Sequence, residues 1–186
     1  PNPLINKSLN KTLRVNNLSQ VSLSQFALDN CSGDSEFTTP MDANDRAIHG
    51  ESRLGTEQGN WNIHTDVSKT KTIKVKTTTL DQFSTDNSID RLDFVKIDVE
   101  GKEINVLEGG RETFSRFLPA LVLEVGCEED TDRKKISDLL RSWGYEITGI
   151  IVAHGIIEIN WEQYTSLSDP FIKKYPSNVL FLGNKK

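Results

Sequence analysis

The chain reads as an α/β domain: a mostly parallel sheet with helices on both faces and an antiparallel hairpin at one edge. Three observations predict it. Strand-like and helix-like segments alternate from Thr79 to Trp143, the pattern of a parallel sheet joined by crossover helices. Two of the strands, Phe94 to Asp98 and Leu121 to Val125, are nearly continuous apolar runs, as strands buried on both faces are. After Trp143 the chain is strand-rich, which suits an antiparallel hairpin. At 186 residues the whole chain, 1–186, is expected to be one domain with a sizeable core.

The elements follow in order. Asn2-Pro3 is a helix start, because Asn caps well and Pro is favoured at the first helical position. Ile5, Leu9 and Leu13 share a helical face, and Asn16-Asn17 closes the helix. Val21, Leu23 and Gln25-Phe26 suggest a short strand. From about residue 31 to 72 the chain is rich in Ser, Thr, Asn, Asp and Gly. It reads as a long polar loop flanked by strands at Glu36-Phe37-Thr38 and Ile73 to Thr77, and loops of this length are usually lids or binding loops. Thr79 to Phe83 looks like a capped helical turn. Ile104, Leu107, Phe114 and Leu118 fit a helix interrupted at Gly109-Gly110. Ile136, Leu139, Leu140 and Trp143 follow the i, i+3, i+4, i+7 template, with Gly144 as the C-cap. Tyr145 to Val152, Ile156 to Ile159 and Val179 to Leu182 are strands.

Composition narrows the classes of partner. The net charge of -5 argues against a nucleic-acid surface. No apolar run approaches the length of a bilayer-spanning helix, so no membrane partner is expected. Cys31 and Cys127 lack metal-type spacing, and reduced thiols in a cytoplasmic setting are the simpler reading. Nothing in the sequence speaks to the oligomeric state.

The chemistry concentrates in Lys96-Ile97-Asp98-Val99-Glu100-Gly101-Lys102-Glu103. Strand side chains alternate with period two, so Lys96, Asp98 and Glu100 share a face at the strand's carboxyl end. That edge is where open α/β sheets bind ligands. Glu124 ends the next apolar strand, and parallel pairing places it beside Asp98. Carboxylates there can take a proton from a hydroxyl or position it. They can instead simply cap the helix that follows Gly101. Three acids could also hold a divalent cation, but no further ligand such as a nearby His is evident, and no metal is expected.

The order Pro1-Asn2-Pro3, Thr79-Leu80-Asp81, Lys96 to Glu103, Leu107-Glu108-Gly109-Gly110 and Pro119 to Val125 resembles the FkbM family of S-adenosylmethionine-dependent methyltransferases. Ala27-Leu28-Asp29 with Gly33, and Ser52 with Leu54, are lesser matches. The resemblance implies a class I methyltransferase (Rossmann-like) fold, with S-adenosyl-L-methionine as methyl donor and a small-molecule or glycan hydroxyl as acceptor. It implies catalytic roles for Asp98, Glu100 and Glu124, and cofactor contacts from Asn2, Ala27 and Leu28. It further implies that the first strand, its Gly-rich turn and the ribose-gripping acid lie before Pro1, so the first strands of the sheet are expected to be missing here.

Other residues invite plainer readings. Lys96 either keeps Asp98 or Glu100 ionised or extends to solvent. Glu103 reads as a first-turn helix acid. His49, His64 and His154 show no triad or metal spacing. Trp61 either stacks on an acceptor ring or anchors the loop. Trp143 is core by its spacing. Gly109-Gly110 lacks the preceding strand that phosphate cradles require. Two rival functions stand beside methyl transfer. A nicotinamide-dependent oxidoreductase needs a Gly-rich dinucleotide turn, and a non-catalytic scaffold needs only a stable fold.

Overall fold

The computed structural model describes residues 1–55, 69–125, 130–166 and 177–184. Trp61, His64 and Cys127 lie outside them, as do residues 56–68 of the expected polar loop. The chain forms two compact units, Pro1–Thr78 and Thr79–Lys186, described in turn.

The first unit begins with α1 (Pro3–Val15) and carries β1 (Ala27–Leu28), β2 (Gly33–Met41), β3 (Arg53–Leu54) and β4 (Lys69–Thr78). They form one sheet in the order β1-β4-β2-β3. Only β1 with β4 is parallel. No strand forms at Val21 to Phe26; β1 begins one residue later, and Val21 and Leu23 are exposed. β2 and β4 extend well into the expected polar loop, pairing from Gly33↔Thr77 to Met41↔Lys69. Threonine explains the difference. A polar run that interleaves Thr with Lys reads as loop by hydropathy, yet β-branched side chains suit a strand. Phe37 and Val75 anchor its buried face.

The second unit holds α2 (Leu80–Asp86), β5 (Phe94–Ile97), α3 (Glu103–Glu108), α4 (Arg111–Phe117), β6 (Ala120–Val125), α5 (Asp130–Ser142), β7 (Tyr145–Val152), β8 (Gly155–Glu158), α6 (Trp161–Thr165) and β9 (Ser177–Gly183). Its sheet runs β5-β6-β9-β7-β8. Here too one pair is parallel, β5 with β6, and the rest are antiparallel. The mostly parallel sheet expected from the sequence is therefore corrected to two mixed, mainly antiparallel sheets. Parallel neighbours need a crossover, which α3–α4 supplies between β5 and β6; β6 and β7 also run the same way, joined through α5, with antiparallel β9 between them. Beyond β6, the strands reverse at each pairing.

One face of this sheet is the core. Ile97, Leu121, Leu123, Val125, Val179 and Phe181 are all nearly inaccessible, and rows such as Ile97↔Leu123↔Val179 put them on the same side. Trp161 and Tyr164 of α6 close over Phe181, with ring centroids 5.6 and 5.5 Å away. The sequence reading had no helix there, although Asn160 and Gln163 form a capping box that marks its start. The opposite face is not covered throughout, since Phe94, Ile151, Ile156 and Leu182 are 40–58% exposed. The expectation of helices on both faces is corrected to that extent.

Thr79-Leu80-Asp81 and Gly109-Gly110 find a structural meaning together. Thr79 caps α2 by accepting from the Gln82 amide. Asp81 caps a different helix: its carboxylate accepts the amides of Glu112 and Thr113 in the first turn of α4, at 3.1 and 2.8 Å. These are two of the donors that a helix start leaves unpaired. Gly110 permits the approach, because a Cβ there would come within 2.7–2.9 Å of Phe114 and Leu80. Asp81→Ala should lower stability by about 1–2 kcal/mol, as for loss of a strong cap, while Asp81→Asn keeps most of it. Urea unfolding checks this, and an unchanged midpoint in Asp81→Ala would contradict the cap.

Candidate active site

The parallel register of β5 and β6 ends at Ile97↔Leu123. The next residue on each strand is acidic, Asp98 and Glu124. They emerge at the carboxyl edge of the pair and hydrogen-bond to one another. Lys96, two residues back, ion-pairs with Asp98. Carboxylate oxygens of Asp98, Glu100 and Glu124 lie within 4.8 Å of one another. They are close enough to share a divalent cation, though the Lys96 ammonium already offsets one of the three charges.

The turn after β5 is built to gather these groups. Glu100 and Gly101 are both left-handed, with φ of 56° and 92°. Only the glycine adopts that conformation freely. Glu103, in the first turn of α3 and 3% exposed, reaches back to hold the turn. Its Oε1 accepts the amides of Val99 and Gly101 at 3.2 and 3.3 Å. The plain reading of Glu103 as a first-turn acid therefore stands, with the added task of fixing where Glu100 points.

The electrostatics divide the two strand-end acids. Partial burial pushes Asp98 upward, but hydrogen bonds with Lys96 and Glu124 and the Lys96 charge outweigh it, leaving its carboxyl below the ordinary value. Burial, the hydrogen bond to Asp98, and the charges of Asp98 and Glu100 push Glu124 up to about 7, against a smaller opposing pull from Lys96. Two carboxyls in contact do not both ionise readily. Below about pH 7 Glu124 holds the proton and donates it to Asp98, which is kept ionised by Lys96. The alternative in which Lys96 merely extends to solvent gives way to an ion pair.

Three residues expected to contact a cofactor lie in the first unit. Ala27 and Asn2 are buried, at 6% and 4% exposed. Leu28 is half-buried. The Asn2 amide nitrogen lies 3.1 Å from Nδ1 of His49, which gives that histidine a partner. His154 is exposed in the tight turn between β7 and β8. Trp143 is half-buried and stacks on Phe114 with centroids 5.8 Å apart. Sequence reasoning missed Asn178, which β9 places directly opposite Glu124. No local motif surrounds it, and only strand pairing reveals it.

The raised Glu124 has a thermodynamic consequence. Between its ordinary value of 4.5 and about 7, the folded chain binds more protons than the unfolded chain, so stability falls as pH rises through that window. The lowered Asp98 acts in the opposite sense, but below its ordinary 3.8, outside the window. Glu124→Gln should abolish the decline, leaving the variant more stable than the parent above pH 7 relative to pH 5. Thermal melts at the two pH values check this, and a parallel decline in both proteins would contradict it.

The family model described as the methyltransferase FkbM domain matches residues 1–147. That span includes Asp98, Glu100, Glu124 and the turn held by Glu103, and stops short of Asn178. No curated protein and no solved structure matches the chain. With most of its length under one family model, including the paired acids at the β5–β6 edge, the chain belongs to the FkbM methyltransferase family.

Proposed function

We propose that the protein is an S-adenosyl-L-methionine-dependent O-methyltransferase acting on a hydroxyl of a small molecule or glycan. The observation that carries this reading is the Asp98–Glu124 pair at the ends of adjacent parallel strands, one acid ionised and the other titrating near neutrality. Family membership supports methyl transfer generally, and the pair supplies what a hydroxyl acceptor needs.

The residues suit the donor in kind. Its sulfonium is a cation, which an anionic strand edge favours. When bound, the donor supplies an electrophilic methyl carbon whose bond to sulfur breaks as the new bond to oxygen forms.

The chain's own groups handle the acceptor. Asp98, held ionised by Lys96, is hydrogen-bonded to Glu124 and orients that carboxyl toward the acceptor hydroxyl. Glu124, once deprotonated, takes the hydroxyl proton as the oxygen bonds to the methyl carbon. A base with a pKa near the working pH is well placed for this step. Of the three acids expected to be catalytic, the electrostatics favour Glu124 as the base. Most of the rate enhancement then comes from holding the two reactants in near-attack geometry.

Transfer assayed from labelled S-adenosyl-L-methionine should rise with pH through an inflection near 7. Glu124→Gln should remove the inflection and cost roughly 100-fold or more in kcat. Asp98→Asn removes a charge that raises Glu124, so in that variant the inflection moves down toward the ordinary carboxylate range. Calorimetric titration with S-adenosylhomocysteine should give unchanged affinity in both variants. A flat profile in the parent, or full activity in Glu124→Gln, would contradict the assignment.

A further inference from the structure

The site continues across the sheet. Glu124 of β6 pairs with Asn178 of β9, Asn178 pairs with Ile151 of β7, and Ile151 pairs with Ile156 of β8. Directly opposed residues on neighbouring strands share a face. With Asp98 already against Glu124, one transverse row therefore reads acid, acid, amide, isoleucine, isoleucine. Strands lie about 4.8 Å apart, so Ile151 and Ile156 stand about 10 and 14 Å from Glu124.

Each member of the row beyond the acids has something unused. Asn178 Oδ1 is buried and makes no hydrogen bond among the described residues. A buried amide oxygen costs stability unless a donor reaches it. Ile151 and Ile156 are 40% and 46% exposed. Two large aliphatic side chains, adjacent on one face and open to solvent, form an apolar strip that begins where the polar end of the row stops.

We propose that this row is the acceptor site, that Asn178 is an acceptor-binding residue, and that the acceptor is amphiphilic: a hydroxyl compound carrying an apolar group 10–14 Å from the methylated oxygen. The inference rests on the methyl-transfer reading. It deepens that reading by choosing, among hydroxyl acceptors, those with an aliphatic or aromatic flank over bare polyols. The hydroxyl sits at Asp98 and Glu124, a neighbouring O–H or N–H donates to Asn178 Oδ1, and the flank lies along Ile151 and Ile156.

The test compares two glucosides that differ only in the flank. Octyl glucoside, kept below its micelle concentration, and methyl glucoside are titrated into the full chain labelled for methyl and side-chain amide resonances. Octyl glucoside should shift the Asn178 amide and the Ile151 and Ile156 methyls together and saturably. Methyl glucoside should bind roughly tenfold more weakly, as expected for loss of aliphatic burial. Ile156→Ser, at an exposed position, should remove that advantage without altering the methyl glucoside response. Unmoved signals along the row would overturn the proposal. So would equal shifts at Val15, Val21 and Leu23, exposed apolar residues in the other unit that report indiscriminate adsorption. S-adenosylhomocysteine added to the same sample separates the two readings. Its binding with a silent row overturns the row alone. Row shifts without its binding leave the row as an amphiphile-binding site and overturn methyl transfer, and with it the acceptor role.

Discussion

Two carboxyl groups in hydrogen-bond contact must share a proton or repel, and the second unit of this protein is organised around that constraint. The contact exists because β5 and β6 run parallel and in register to Ile97↔Leu123, so that Asp98 and Glu124 are the first residues past the paired core. Shifting either strand by one residue would turn its acid to the opposite face. The register is in turn held by the buried row Ile97–Leu123–Val179 and its neighbours. The hydrophobic core thus sets the position of a proton.

The asymmetry of the pair has a local origin. Lys96 lies on the Asp98 side and stabilises its negative charge. Glu124 faces Asp98 and Glu100, both of which raise it. The left-handed turn at Glu100-Gly101 keeps Glu100 close, and Glu103 holds that turn from inside α3. One ammonium on one side of two like acids is enough to give them different tasks, an ionised acceptor and a base titrating near neutrality. Asp81, at a distance from this chemistry, does comparable work on the crossover by fixing the start of α4 against α2.

What the sequence disclosed follows from which interactions are local. The helix starts at Pro3 and Thr79, the break at Gly109-Gly110 and the strands at Tyr145–Val152 and Gly155–Glu158 depend on nearby residues, and were legible to within a residue or so. The clustering of Asp98 and Glu124 was legible too, because two apolar strands ending in acids leave little freedom once paired in parallel. The direction of most other pairings was not. β9 inserts between β6 and β7, a non-local choice, and it brought Asn178 to Glu124 without any sequence signal. The full length of β2 and β4, beyond the expected Glu36-Phe37-Thr38 and Ile73 to Thr77, was hidden for another reason: hydropathy undervalues Thr in strands. Which of the two acids holds the proton depends on burial and on Lys96 geometry, neither of which periodicity reports.

The central claim is that the proton sits on Glu124 and leaves near neutrality. Carboxyl-carbon NMR of the labelled chain, followed from pH 3 to 9, measures it directly. The account predicts a Glu124 resonance with its midpoint near 7, accompanied by a coupled displacement of Asp98, whose own protonation occurs below the ordinary range. Independent titration of both residues in the ordinary carboxylate range, around 4, would contradict it and remove the base from the site.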